Sequence, residues 1–171
     1  MTMTDTRTDD RAVRMPPRAI IGSSSPAGPR TIRQAIEAAV DAIEDESLEP
    51  LSPDDTPPFA QARAVLGSLT LCYVRQIYRS ADAACMVARD LFFLGFCGEE
   101  LPDACVLKRF RAENREAMHR CLTAALHFLV EQKISSGMVT RVNFPQVAEE
   151  ANRRLIMAMF VDSMELDGER Q

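Results

Sequence analysis

The residues best suited to bind an anion lie in one short segment, "ELPDACVLKRFRAENREAMHR", which covers residues 100–120. Within it, Lys108, Arg109, Arg111 and Arg115 follow a Pro-Asp pair. Ammonium and guanidinium groups donate charge-assisted hydrogen bonds to phosphate, and guanidinium groups also match the edge of guanine. The segment is therefore a candidate for binding a phosphate-rich partner, and its residue types indicate no reaction.

The same segment has the pattern of a long amphipathic helix. Asp103 is a natural N-cap, and the pattern predicts a helix from about residue 104 to about residue 132, followed by "SSG". Its apolar stripe consists of Leu107, Phe110, Ala117, Cys121, Ala125, Phe128 and Leu129. Beside this stripe, Arg109 has Glu113 four residues later, and we expect an exposed ion pair between them.

Three basic residues on the other side of the stripe have no acidic neighbour along the helix. Lys108, Arg111 and Arg115 form this ridge, and like charges at helical spacing repel by about 0.2–0.5 kcal/mol per pair. An anion is therefore expected to cover the ridge. It could be the phosphate of a nucleic acid, or it could be Glu99 or Glu100 folded back onto the helix.

The composition is that of a folded helical protein with an acidic balance. Hydrophobic residues make up 46% of the 171 residues and charged residues 26%, with a formal net charge of −5. This net charge argues against a general polyanion binder but permits a local basic surface, because the field depends on patches. The composition of residues 1–29 predicts a disordered tail, because this segment is rich in Thr, Asp, Arg, Ser and Pro. We expect residues 30–171 to form a single helical domain.

The remaining patterns predict an all-α domain of five or six helices. Thr31 is a candidate N-cap for the helix in "TIRQAIEAAVDAIEDE", and Ser80 is a candidate N-cap for a short helix. Between them, "FAQARAVLGSLTLCYVRQIY" is apolar on nearly every side from Val65 to Val74 and predicts a central, buried helix. The sequence has no strand alternation and no glycine-rich phosphate loop.

A last helix is predicted from about residue 145 to about residue 165. Pro145 suits its first turn. The residues that suit docking onto the core are Ala148, Ala151, Leu155, Ala158, Met159 and Val161. Met157, Met159 and Met164 can fill the core or form a surface for a partner, and core filling is the favoured interpretation.

The cysteines and histidines do not predict a metal site. The five cysteines contain no Cys-x-x-Cys pair, and the set Cys97, Cys105, His119 and Cys121 fits no familiar zinc spacing. Buried thiols in a reducing cytoplasm are the expected state. The apolar runs are too short to cross a bilayer and the N-terminus lacks a signal-peptide pattern. We therefore expect a cytoplasmic protein with no metal or cofactor and no membrane partner.

Three segments, taken in order, resemble the N-terminal domain of bacterial insertion-sequence transposases that have a DDE (ribonuclease H-like) catalytic core. "PPFAQARAVLGSLTLCYVRQIYRSADAACMVARD" is similar to that family's proline-led apolar helix, turn and short helix. "LFFLGFCGEELPD" is similar to its aromatic segment before a Pro-Asp pair. "PDACVLKRFRAENREAMHRCLTAAL" resembles its Leu-x-Arg-Phe-Arg signature at Leu107, Arg109, Phe110 and Arg111. The resemblance covers residues 57–133.

The resemblance implies a helix-turn-helix-like unit that recognises duplex DNA at the ends of a mobile element. The helix that starts near Asp103 would then be the recognition helix. The DNA contacts that this implies are Lys108, Arg109, Arg111 and Arg115, with Arg79 and Arg89 as backbone contacts from the preceding elements. Phe110 of the signature can instead be a determinant of the fold, and we expect it in the hydrophobic core.

The chain departs from the family after this unit. The family's catalytic core holds two metals with three separated carboxylates, and only "ELDGER" at residues 165–170 is faintly similar to its first Asp-Gly. We therefore expect a non-catalytic DNA-binding module that regulates transposition or transcription. Its partners would be double-stranded DNA, a second copy of the chain or an intact transposase. The alternative is a helical protein–protein interaction domain without DNA affinity.

Overall fold

A computed structural model of the chain describes residues 28–51, 60–90, 101–138 and 143–168. These residues form six α-helices and no strand, which confirms the predicted all-α class. The helices are α1 (Ile32–Asp41), α2 (Ala60–Val74), α3 (Ser80–Val87), α4 (Ala104–Glu113), α5 (Arg115–Ser135) and α6 (Phe144–Gly168). The predicted disordered tail, residues 1–29, lies outside the described residues apart from its last two.

Helix α2 is the centre of the fold. Its residues from Ala64 to Tyr73 are all buried, because the helix has no polar side to turn towards water. Helices α1, α3, α5 and α6 pack against it. One cluster of buried apolar side chains includes residues from all six helices, among them Leu66, Leu69, Tyr73, Val87, Leu107, Phe110, Met118, Leu122 and Leu155. The predicted central position of this helix is confirmed, and so is the predicted place of Phe110 in the core.

The prediction of one long helix from residue 104 to residue 132 is wrong, because the chain breaks at Asn114. This residue has φ −105° and ψ 31° and is buried. Its side-chain oxygen accepts a 2.7 Å hydrogen bond from the backbone N–H of Glu49, and its side-chain nitrogen donates to the carbonyls of Glu49 and Phe110. These bonds join the α4–α5 break to the chain that follows α1.

Two of the three predicted N-caps are confirmed. The side chains of Thr31 and Asp103 each accept a hydrogen bond from the backbone N–H three residues later, at 3.2 Å and 2.8 Å. The prediction for Ser80 is wrong, because Arg79 occupies the N-cap position of α3 without a side-chain cap bond. The Ser80 hydroxyl donates instead to Asp162 on α6, at 2.6 Å.

Helix α6 starts at Phe144, so Pro145 lies in its first turn as predicted. Among its residues up to Met164, the buried ones are Val147, Ala151, Leu155, Ala158 and Asp162. Three of the predicted docking residues are among them. The docking prediction is wrong for Met159, which is 43% exposed.

Candidate functional site

Arg111, a predicted DNA contact, is buried inside the domain. Its side chain is 5% exposed, and its Nη2 donates to Oδ2 of Asp162, whose side chain is 6% exposed. Its Nη1 donates to the hydroxyl oxygen of Tyr73 at 2.9 Å and lies 3.4 Å from the hydroxyl oxygen of Ser80. A buried charge needs partners of this kind. Arg111 thus connects α4 to residues of α2, α3 and α6.

Asp162 is held by α3 as well as by Arg111. It accepts hydrogen bonds from the backbone N–H and the hydroxyl of Ser80, at 3.0 Å and 2.6 Å. Burial raises the pKa of Asp162, but the hydrogen bonds from Ser80 and Arg111 outweigh burial and hold the pKa below its ordinary value. Burial also raises the pKa of the Tyr73 phenol to about 12. At neutral pH the network therefore consists of a charged pair and a neutral phenol.

The prediction that Lys108, Arg111 and Arg115 form an unpaired basic ridge is wrong. Its central member, Arg111, is covered by a carboxylate of the same chain, which lies 51 residues away in the sequence. Arg115 is on α5, beyond the helix break, and its Nη2 is 3.4 Å from the side-chain oxygen of Asn152. Lys108 is half-buried on α4. The three side chains therefore do not form one exposed basic surface.

Arg109 is exposed, but it bonds to neighbouring groups. Its Nη2 donates to the carbonyl oxygen of Leu51 at 3.1 Å, and its Nε is 3.9 Å from a carboxylate oxygen of Glu113. The ion pair predicted from the four-residue spacing is thus confirmed. Glu99 and Glu100, the alternative cover for the ridge, lie outside the described residues.

The other two predicted contacts, Arg79 and Arg89, lie on a concave surface around α3. Both line an open cavity of about 620 Å³. An adjoining cavity of about 570 Å³ is lined by Arg89 together with Arg33 and Arg75. All four arginines are exposed, and we call this set of four the arginine groove. Arg33 and Arg75 were missed in the sequence, because no local pattern brings them together with Arg79 and Arg89.

The arginine groove has more positive than negative charge. Its acidic residues are Asp82 and Asp90. Asp82 is 3.9 Å from Nε of Arg79, and Asp90 is 3.0 Å from Nη2 of Arg33. The other two arginines of the groove have no ion pair within the described residues. The described lining of these two cavities therefore has two more arginines than carboxylates, on a protein whose formal net charge is −5.

A tight turn after α2 fixes the backbone at one side of the groove. The N–H of Ile77 donates to the carbonyl of Cys72 at 2.9 Å, and the N–H of Gln76 donates to the carbonyl of Tyr73 at 3.2 Å. These two bonds form a Schellman motif. Gln76 occupies its left-handed position with φ 63°. The turn connects the end of α2 to the start of α3, where two of the groove arginines lie.

Helix α6 forms a second surface, which is apolar. Between Ile156 and Met164, its exposed large apolar residues are Ile156, Met157, Met159, Phe160 and Met164, with exposures of 49%, 40%, 43%, 57% and 57%. The prediction that the three methionines of this helix fill the core is wrong, because all three are exposed and α6 packs onto the core by other residues. Exposed apolar patches of this kind mark binding surfaces. We call Ile156, Met157, Phe160 and Met164 the α6 apolar face.

Within the described part of the chain, no group of three or more His, Cys, Asp or Glu side chains is placed to hold a metal ion. Cys121 is buried, and burial raises the pKa of its thiol to about 12. Cys105 is exposed, and Nε2 of His119 is 3.0 Å from the carbonyl oxygen of Ala148. Cys97 lies outside the described residues. Over the same residues, no helix combines the length and apolar character needed to cross a bilayer.

No protein-family model, curated protein or solved structure matches this chain. The resemblance to the transposase N-terminal domain therefore depends on its sequence motifs over residues 57–133. In the fold, Leu107, Phe110 and Arg111 of the signature are buried and Arg109 is exposed. Most of the signature thus has a structural role.

Proposed function

We propose that the protein binds the phosphate backbone of duplex DNA through the arginine groove. The observation that carries the proposal is the pair of adjoining cavities around α3, whose combined lining includes four exposed arginines and two aspartates. Contacts with phosphate supply nearly all of non-specific DNA affinity, and guanidinium groups match phosphate geometry. The motif resemblance over residues 57–133 supports the same class of partner. Binding, and not a reaction, is the proposed activity.

The proposal moves the DNA contact from α4 to the surroundings of α3. Arg111 is bonded inside the domain, and Arg109 bonds to Leu51 and Glu113. Helix α4 therefore offers fewer available cations than its sequence indicates. Arg79 and Arg89 stay in the proposed contact from the predicted set, and Arg33 and Arg75 are added to it.

Two charge-matched double variants separate the groove from α4 and α5. Arg75→Gln with Arg89→Gln removes two groove arginines, and Arg109→Gln with Arg115→Gln removes two exposed arginines elsewhere. Both variants change the net charge equally, and all four residues are exposed. Fluorescence anisotropy with a pool of labelled duplexes, at about 50 and about 200 mM salt, measures the affinity of each.

We expect the unmodified protein to bind duplex DNA with an affinity that falls as the salt concentration rises. The groove variant should weaken it and lower the slope of log K against log salt by about 2, because each lost phosphate contact contributes about 0.9. The control variant should bind almost as the unmodified protein does. A loss confined to the control variant would return the contact to the predicted recognition helix. Absence of binding by the unmodified protein at low salt would overturn the proposal and favour a domain that binds only protein.

A further inference from the structure

We propose that the cavity between α1, α2 and α3 binds a small molecule that has an apolar body and one anionic head group, a carboxylate or a phosphate. This inference goes beyond the proposed contact with DNA and does not rest on it. The volume of the cavity is about 570 Å³, within the range of about 300–1,000 Å³ that is typical of small-molecule sites. Most of its lining surface is apolar, with a few polar groups that can orient a ligand, as in such sites.

The apolar part of the lining is a formed surface of the hydrophobic core. It consists of Leu71, Cys72, Met86 and Val87, and we call these four residues the apolar floor. Three of them are buried members of the core cluster, and Met86 packs against that cluster. Burial raises the pKa of the Cys72 thiol to about 11, so this thiol is neutral at neutral pH. A ligand therefore meets an uncharged surface that is already in place, which lowers the entropy lost on binding.

The charged part of the lining is cationic. It includes three exposed arginines, Arg33, Arg75 and Arg89. Asp90 is the one carboxylate of the described lining. Its Oδ1 accepts a hydrogen bond from Nη2 of Arg33 at 3.0 Å, and its Oδ2 accepts one from the hydroxyl of Ser68 at 3.3 Å. Within the described residues Arg75 and Arg89 have no ion pair, and their guanidinium groups are the candidates to bind an anionic head group.

The two parts of the lining together select the occupant. A carboxylate or a phosphate accepts charge-assisted hydrogen bonds from guanidinium groups and matches their geometry. A cation would be repelled by the surplus of arginines, and a neutral apolar molecule would leave Arg75 and Arg89 without a counter-charge. A DNA duplex is too large to enter a cavity of this volume, so it would leave the apolar floor uncovered. A small apolar anion satisfies both the floor and the arginines.

Methionine methyl groups can report where a ligand binds. Met86 lines the cavity, whereas Met157 and Met164 belong to the α6 apolar face and report non-specific apolar binding. The full chain with isotope-labelled methionine methyl groups is titrated by NMR with octyl phosphate and with octanoate, in the absence of DNA. At least one of these compounds should shift the Met86 signal to saturation and leave the signals of Met157 and Met164 unchanged. Single Met→Leu variants assign the three signals.

Two further compounds separate the contributions of the head group and the apolar body. Octanol has the body without the charge, and inorganic phosphate has the charge without the body. At equal concentration each should shift the Met86 signal by about a tenth as much or less, because each lacks one of the two contacts. The tighter of octyl phosphate and octanoate identifies the head group that the arginines prefer.

Two charge-matched double variants test the contact with the head group. Arg75→Gln with Arg89→Gln should weaken binding of the tighter compound by about tenfold or more, because charge-assisted hydrogen bonds are lost. Arg109→Gln with Arg115→Gln removes two exposed arginines outside the cavity and should bind the compound as the unmodified protein does. Circular dichroism checks the fold of each variant, and Arg89→Gln alone replaces the first variant if that one unfolds.

Several results would each overturn the proposal. They are no saturating shift of the Met86 signal with either compound, equal shifts of the Met86 and α6 signals, octanol binding as tightly as the anions, and unchanged affinity in the variant that lacks Arg75 and Arg89. Because these titrations contain no DNA, their outcome is independent of the proposed DNA contact. A protein that binds the compound but not DNA would keep this proposal and lose the other, and the reverse result would do the opposite.

Discussion

At the scale of single residues, the buried pair of Arg111 and Asp162 makes the loss of one partner costly. Asp162→Ala should lower the free energy of unfolding by about 3–5 kcal/mol, because the Arg111 charge stays buried without its counter-charge. Urea denaturation measures this loss. Asp82→Ala is the control, since Asp82 forms an exposed pair with Arg79 at 3.9 Å, and it should cost less than about 1 kcal/mol. Equal losses in the two variants would contradict the structural role of the buried pair.

The same carboxyl group gives the domain a defined sensitivity to acid. The pKa of Asp162 is lowered from 3.8 in the fold, so the unfolded chain binds this proton at higher pH than the folded chain does. The stability that this group contributes is therefore complete well above pH 3.8 and is lost as the pH falls through the lowered folded pKa. Urea midpoints should fall steeply below about pH 4, and less steeply in Asp162→Asn. An identical pH profile in that variant would refute this assignment.

Local sequence identified some of these residue roles and missed others for a physical reason. The cap formed by Asp103 was predictable, because its partner N–H is three residues away. The partner of Arg111 was not, because Asp162 belongs to a helix 51 residues further along the chain. Helical periodicity can predict that an arginine is exposed on its own helix. The same arginine is buried when another element supplies its counter-charge. Arg33 and Arg75 of the arginine groove were missed for a related reason, since three separate segments contribute to the groove.

At the scale of helices and turns, the ends of α2 and α5 have the same geometry but different residues. Gly137 ends α5 with φ 76°, and its N–H and that of Met138 donate to the carbonyls of Ile134 and Lys133. Gln76 has the equivalent position after α2, with φ 63°. A side chain with a Cβ is strained in this conformation and glycine is not.

We expect substitutions at Gln76 and Gly137 to change the free energy of unfolding in opposite directions. Gln76→Gly should raise the free energy of unfolding by about 0.5 kcal/mol, because relief of strain exceeds the entropy that glycine adds to the unfolded chain. Gly137→Ala should lower it by about 1 kcal/mol or more, although a Cβ there meets no atom within 4 Å. Thermal and urea denaturation measure both changes. A loss of stability in Gln76→Gly would contradict the account of this turn.

The break between α4 and α5 shows where helical periodicity fails. The apolar stripe continues from Phe110 to Ala117, so the pattern across Asn114 is that of one helix, without a glycine or proline to mark an end. The break depends on the bonds between Asn114 and Glu49, which are 65 residues apart. Helix type, the caps at Thr31 and Asp103 and the core stripe were thus predictable, whereas this break depends on tertiary contact.

At the scale of the whole molecule, the arginine groove and the α6 apolar face consist of different residues. The arginine groove surrounds α3, and the α6 apolar face is on the side of α6 that points away from the core. A substitution on one surface should therefore leave the other surface unchanged as long as the fold is kept, because the two surfaces share no residue.

The last prediction tests this separation of the two surfaces. Phe160→Glu should change the affinity for duplex DNA much less than Arg75→Gln with Arg89→Gln does, because it removes no phosphate contact. Anisotropy titrations with the same labelled duplex at one salt concentration measure both affinities. An equal loss of affinity in the two variants would place α6 in direct contact with DNA and contradict the separation of the two surfaces.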